Sequence, residues 1–475
     1  MNAGRSTLPV AIIGGGPVGL AAAARLVTRG LPVKLYEAGA TVAAHVRDWG
    51  HVRLFSPWAF NTDVAATEIL REHGWQAPPA TTLPTGGDLY SAYLQPLAEA
   101  PPLKSVIETG ARVRSVSRAG IDKVVSRGRG DHPFALSIET ADGASRIELA
   151  RAVIDASGTW ASPNPAAASG TPAQGEVTFA DRIAYGIPDV LGRDKATYAG
   201  QRVLVIGGGH SAANVLLDLA RLAEMDARTK ILWAVRAGNL ARVFGGGAAD
   251  KLAARGALGD DLKRRVESSK LELALSFAVG RIEQHGDGLT VSGQSGRTLG
   301  PVTRIVVCTG QRPDLAMTRE LRLDLDPWLE SARTLGPMID PNLHSCGSVP
   351  PHGFRELAHP EDGYFAVGIK SYGRAPTFLM ATGYEQVRSV VAHLAGDEVA
   401  ANDVRLVLPE TGVCSTNIEA EIAANGGCCG GPADACCVDD AKAKASGATG
   451  CGCGATETKP VTVVAASCCG GTRNA

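Results

Sequence analysis

Gly14, Gly16 and Gly19 fit the spacing G-x-G-x-x-G. The first glycine permits a tight turn, the second lets bare backbone approach a pyrophosphate, and the third lets a helix pack closely on a strand. Glu37 follows Gly19 by 18 residues, where a carboxylate accepts ribose hydroxyls. A second set, Gly207, Gly209 and Ala212, begins 193 residues after the first, and Arg236 stands where the first set has Glu37. A carboxylate repels a 2′-phosphate and a guanidinium pairs with it. Two dinucleotide sites of opposite charge at the ribose imply two different dinucleotides, FAD in the first and exchangeable NADPH in the second. Ser211 belongs to the second turn, His210 is read there as a contact to NADPH rather than a base, and Arg242 is a further candidate for the 2′-phosphate.

The cysteines form the other chemical signal. Of 11, only Cys308 and Cys346 precede residue 400, whereas Cys428-Cys429, Cys436-Cys437 and Cys468-Cys469 are vicinal and Cys451 and Cys453 form C-x-C. Thiolates select soft ions, Cu(I), Zn(II) and Hg(II) among them, and trivalent arsenic by the same softness. These eight are the candidate metal or metalloid ligands. The tail has no histidine and no C-x-x-C, which argues against a mixed zinc finger or a zinc ribbon. Cys308 ends an apolar strand and reads as a small buried residue. Cys346, near His344 and His352, lacks the spacing of a metal site.

The elements that must position these residues are two strand–glycine turn–helix–strand units, "LPVAIIGGGPVGLAAAARLVTRGLPVKLYEA" and "GQRVLVIGGGHSAANVLLDLARLAEMDARTKILWAVRAG". Each is followed by alternating, hairpin-like strands and then by an apolar strand running into a small-residue turn, "VIDASGTW" and "IVVCTGQRPD". Ser157 and Gly158 of the first such turn are expected on the cofactor. The modules are duplicated in plan, so the fold expected is α/β: two Rossmann-like dinucleotide-binding domains, the second inserted in the first. The FAD domain takes 1–165 and 311–411, the NADPH domain 166–310. From 412 to 475 the composition turns to Gly, Ala, Cys and Thr, too poor in large apolar groups to offset ordering entropy, and a flexible Cys-rich tail is expected.

Lys+Arg 47 against Asp+Glu 48 gives no electrostatic case for nucleic acid or an anionic membrane. The apolar stretch near the N-terminus carries the glycine fingerprint and does not read as a signal or membrane span. A cytoplasmic protein is expected, with the oligomeric state left open.

The paired fingerprints, "IDASGTW", "CTGQRPD" and "GIKSYGRAPTFLMATGYEQV" over residues 8–400 resemble the two-dinucleotide-binding flavoprotein superfamily, class B flavin monooxygenases in particular. "FGGG", "RGALG", "KSYGRAPTF" and the Cys-rich end are similar to flavin monooxygenases encoded with bacterial arsenic-resistance genes. The resemblance implies that Gly368, Lys370 and Thr377 lie near the flavin. Two departures stand out: no F-x-G-x-x-x-H precedes the second fingerprint, and "TVAAHVRDWGHVRLFSPWAFN" lacks the cysteine pair of disulfide reductases. The expectation is an FAD- and NADPH-dependent monooxygenase that uses molecular oxygen on a small soft substrate, trivalent arsenicals included, with the tail concentrating substrate. The alternatives are a reductase sending electrons through tail thiols to a metal ion or disulfide, as in mercuric reductase, and a metal-binding protein on a flavin scaffold. No protein group is singled out as catalytic.

Overall fold

The computed structural model describes residues 7–244, 253–268, 271–344, 349–376 and 378–406. The tail cysteines, Cys346 and Thr377 lie outside the described residues, as does the side chain of Arg242. The described part belongs to one compact unit.

Strand β1 (Val10–Ile13) is apolar at every position and buried on both faces, the signature of an interior parallel strand. It leads through the glycine turn into α1 (Pro17–Thr28), where Pro17 occupies the first turn and needs no backbone donor. β2 (Val33–Tyr36) pairs parallel with β1. The sheet is extended by β3 (Ile107–Glu108), and a three-stranded antiparallel sheet follows from β4 (Ala111–Arg118), β5 (Phe134–Thr140) and β6 (Ser145–Ala150). β7 (Ala152–Asp155) returns to lie beside β1.

The second module repeats the plan. Its strands are β8 (Ile183–Tyr185), β9 (Arg202–Ile206), β10 (Lys230–Ala234) and β11 (Glu272–Ala274). Two helices belong to it, α2 (His210–Met225) and α3 (Ala253–Glu267). A second antiparallel sheet, β12 (Val279–His285), β13 (Gly288–Gly293) and β14 (Thr298–Val302), precedes β15 (Arg304–Val307). The chain then re-enters the first module, where β16 (Tyr364–Ala366) pairs parallel with β7 and α4 (Met380–Leu394) closes the fold.

The two parallel sheets run β16-β7-β1-β2-β3 and β8-β15-β9-β10-β11. Their equivalent positions match strand for strand, and β16 reaches the first sheet only after the whole second module has been made. The inserted α/β plan expected from the sequence is therefore the observed one. One core of α1, α4 and the first sheet surrounds Leu20, Leu26 and Val387; a second forms around α2 and Trp233.

Candidate functional site

Both fingerprints are built by the same steric logic. Gly14 has φ +98°, and a Cβ there would lie 2.7 Å from the Ala156 carbonyl oxygen at the end of β7. Gly207 has φ +141°, with a Cβ 2.3 Å from the Cys308 carbonyl oxygen at the end of β15. Only glycine serves at such positions. A Cβ on Gly19 would stand 1.9 Å from the Gly14 carbonyl oxygen, which is how the third glycine admits the helix; in the second module Ala212 takes that place, fully buried.

A Cβ on Gly16 or on Gly209 meets nothing within 4 Å. Each middle glycine therefore faces open space at a helix N-terminus, the cradle that a pyrophosphate fills. Glu37 accepts the Gly15 N–H at 2.7 Å on Oε2 and the Gly39 N–H at 2.7 Å on Oε1. A carboxylate offers about four lone-pair positions, so its two oxygens keep capacity for ribose hydroxyls. The donors and spaces present fit FAD at the first turn.

A cavity of about 530 Å³ runs from this turn to the second module. Gly14, Gly16, Glu37, Ser157, Gly158 and Gly368 line its first part. Trp49, Leu54, Phe55, Trp160, Phe378 and Met380 form apolar walls, and His210, Ser211, Asn214, Arg255 and Gln311 face it from the second module. The His210 ring meets Phe55 edge to face at 5.3 Å between centroids. The N-terminal residues of α2 thus face the same space as the first glycine turn.

Two other expected binding residues lie off the cavity wall. Arg236 is exposed two residues beyond β10, off the cavity wall, its Nη1 donating to the Ala168 carbonyl at 3.4 Å. Lys370 does not line the cavity: its ammonium is 2.7 Å from Asp155 Oδ2 and donates to Ser157 Oγ at 2.9 Å. Asp155 is fully buried and also accepts the Ser157 hydroxyl at 2.7 Å and the Tyr364 hydroxyl at 2.9 Å. Burial, with the Asp155 charge behind it, pushes the Tyr364 hydroxyl far up, so it remains a donor. Lys370 and Asp155 together fasten the turn at Ser157 from behind.

Gly368 is held in a second network. Its N–H donates to Gln386 Oε1 at 2.8 Å, and the Gln386 amide donates to Ser371 Oγ at 2.9 Å and to His352 Nε2 at 3.1 Å. His352 is buried and bonded to the Pro350 carbonyl at 2.9 Å, and burial lowers its pKa. His344 lies at the Pro337 carbonyl. Among the described residues no group of three His, Cys, Asp or Glu could hold a metal ion, and no helix is long and apolar enough to cross a membrane. Cys308 is buried as expected; desolvation pushes its thiol up to about 12.

The sequence reading missed Trp49, Phe55, Trp160 and Arg255 on the walls and Asp155 beneath the turn. Asp155 left a signal, an acid ending an otherwise apolar strand; Trp49, Phe55 and Trp160 come from irregular segments with no periodicity to betray them, and Arg255 from a helix whose packing the sequence does not show.

The chain matches the family described as pyridine nucleotide-disulphide oxidoreductase over residues 11–334, and it belongs to that family. It is accordingly an enzyme, an oxidoreductase of the pyridine-nucleotide class. No curated protein matches it. Among solved structures, a bacillithiol disulfide reductase from Bacillus cereus aligns at TM-score 0.60 and 18% identity, covering 82% of this chain and 99% of that one. The desferrioxamine-pathway cadaverine monooxygenase from Erwinia amylovora, bound to FAD, aligns at 0.59 and 14%, covering 85% and 98%. A mutant flavin monooxygenase from Stenotrophomonas maltophilia aligns at 0.53 and 20%, covering 82% and 98%. At these identities the likeness shows the fold alone.

Proposed function

We propose that the protein is an NADPH-dependent FAD monooxygenase acting on a small soft substrate, with trivalent arsenicals the favoured class. The observation that carries the oxygenase reading is the wall of the cavity. Every described residue on it is something other than cysteine, and the aromatic and aliphatic groups Trp49, Leu54, Phe55, Trp160, Phe378 and Met380 dominate where the two turns meet. Disulfide reduction needs a thiolate beside the flavin. Cys308, the one described thiol, is buried at the end of β15 and held protonated.

FAD supplies hydride acceptance from NADPH and, once reduced, activation of oxygen. The chain's own residues bind and shelter. The turns at Gly14–Gly16 and Gly207–Gly209 offer N–H groups to phosphates, Glu37 takes the ribose, and the apolar walls keep bulk water from the reacting centre. The paired tail cysteines support the arsenical class, because their softness suits capture of trivalent arsenic for delivery to the cavity.

The second reading, reduction of a disulfide or metal ion through tail thiols, is favoured by the family description and by the likeness to a bacillithiol disulfide reductase. One experiment separates them. FAD-loaded protein is given NADPH in air with methylarsenite, arsenite or a low-molecular-weight disulfide, and NADPH consumption and arsenic speciation are followed. Faster consumption with matching pentavalent arsenic supports the oxygenase. Consumption driven by the disulfide without oxygen overturns it. Loss of activity at low arsenical on deleting 412–475 supports capture by the tail, and unchanged activity removes it.

A further inference from the structure

Arg255 is a buried cation on the wall of the cavity, 6% exposed, and neither the fingerprints nor the family assigns it a role. Its place is fixed by the way α3 lies on α2. Leu262 of α3 enters the same core as Leu216 and Leu219 of α2. Gly259 lets α3 pass so close to Phe244 that a Cβ would stand 1.9 Å from its carbonyl oxygen. At the far end Arg265 pairs with Glu224, near the C-terminus of α2. Ten residues, about 15 Å of helix, separate Arg255 from Arg265, and ten separate Asn214 from Glu224. The helices therefore run side by side in the same direction. Arg255 comes level with Asn214, one turn from the N-terminal residues His210 and Ser211, and all four face the cavity.

None of the described residues that line this end of the cavity is a carboxylate. His210, Ser211, Asn214, Arg255, Gln311 and Ile187 line it, and Glu37, the one carboxylate among the described lining residues, is engaged at the first turn. An anion seated on the α2 N-terminus meets backbone N–H groups on one side and a guanidinium in a partly desolvated wall on the other. Arginine holds five donors in a planar fork that matches phosphate oxygens two at a time.

We propose that Arg255 is a binding residue for the diphosphate of NADPH, closing over it from α3 while the α2 N-terminus holds it from below. The assignment rests on the NADPH reading of the second turn. It places the diphosphate contact on Arg255 and leaves the 2′-phosphate to groups outside the cavity, Arg236 among them. Arg255 thereby acts on both nicotinamide dinucleotides alike and does not choose between them.

The test uses full-length, FAD-loaded protein and reads binding directly, by equilibrium dialysis of NADP⁺ and NAD⁺ against wild type, R255M and R255K. Methionine keeps the apolar stem; FAD content and the far-ultraviolet spectrum report whether the fold survives. The expected result is that R255M weakens NADP⁺ about 10- to 100-fold, the span of a charged hydrogen bond. NAD⁺ weakens by the same factor, and R255K, which keeps the charge without the fork, falls between. NADP⁺ affinity unchanged in a folded R255M overturns the assignment and leaves the NADPH reading standing. Loss confined to NADP⁺ also overturns it, since Arg255 would then read the 2′-phosphate. Wild type binding neither dinucleotide overturns the NADPH reading and the assignment with it.

Discussion

Lowering the pH below about 6.5, the ordinary histidine value, should loosen the grip on Gly368 through His352. The tautomer follows from the partners. The Pro350 carbonyl only accepts, so His352 Nδ1 carries the proton in that bond; Gln386 Oε1 accepts from Gly368, so its amide nitrogen is what faces Nε2. Nε2 must accept, and a second proton there would set two donors against each other. Burial is the largest influence on His352 and lowers its pKa, outweighing the Glu356 and Glu385 charges that raise it. The native state therefore binds fewer protons than the unfolded chain as pH falls. The stability due to neutral His352 is full above about 6.5 and is lost below it at about 1.4 kcal/mol per pH unit, until the native value is reached. Between pH 7.5 and 5.5 the loss is therefore at most about 1.4 kcal/mol, its ceiling set by the unfolded value.

Urea unfolding of wild type and His352→Gln, followed by circular dichroism at several pH values, isolates this contribution because every other titrating group is common to both. Glutamine at 352 still offers an acceptor to Gln386 but does not titrate. Wild type should lead at pH 7.5, and its lead should shrink by up to about 1.4 kcal/mol by pH 5.5. Release of FAD, read by flavin fluorescence, should rise over the same interval in wild type alone, since a turned Gln386 amide leaves the Gly368 N–H unbonded. A constant difference between the two proteins from pH 7.5 to 5.5 would refute the reasoning.

Gly19→Ala must push α1 off the Gly14 carbonyl, which a Cβ would approach to 1.9 Å. A cost of about 3 kcal/mol, the upper range for a methyl group forced into a packed interior, should appear in the thermal midpoint, with FAD lost on purification. Ala212→Gly, the reverse change in the second module, should leave FAD content unaltered. Lys370→Met strands the Asp155 carboxylate, which is 0% exposed, and should cost about 3–5 kcal/mol in urea unfolding. Adding Asp155→Asn, which removes the charge, keeps Oδ1 as acceptor for Ser157 and turns its amide N–H to the Tyr364 oxygen, should restore most of that loss; no restoration would show that the pair is not what holds the turn.

What the sequence disclosed was whatever local pattern could carry. Gly14 and Gly207 announce turns that no side chain tolerates, four-residue apolar strands announce burial on both faces, and the repeat of the plan after residue 200 announces a second sheet. Glu37 was legible because its place depends on one strand and one turn. The ion pair of Lys370 was illegible for the opposite reason: its partners Asp155 and Ser157 lie more than 200 residues earlier and meet it only when β16 joins β7.

Arg255 marks the same boundary more sharply. In the chain it is one basic residue in a Gly/Ala-rich stretch, and helical periodicity gives it no distinction. Its role is set by the register of α3 on α2, fixed at one end by Arg265 and Glu224, and by the close approach of α3 to Phe244 that the missing side chain of Gly259 allows. A one-residue slip of α3 along α2 would rotate Arg255 by about 100° and take its guanidinium off the cavity wall. The glycine that sets the approach of α3 is thus as necessary to the proposed diphosphate contact as the arginine itself, and Gly259→Ala should weaken NADP⁺ binding without touching a residue of the site.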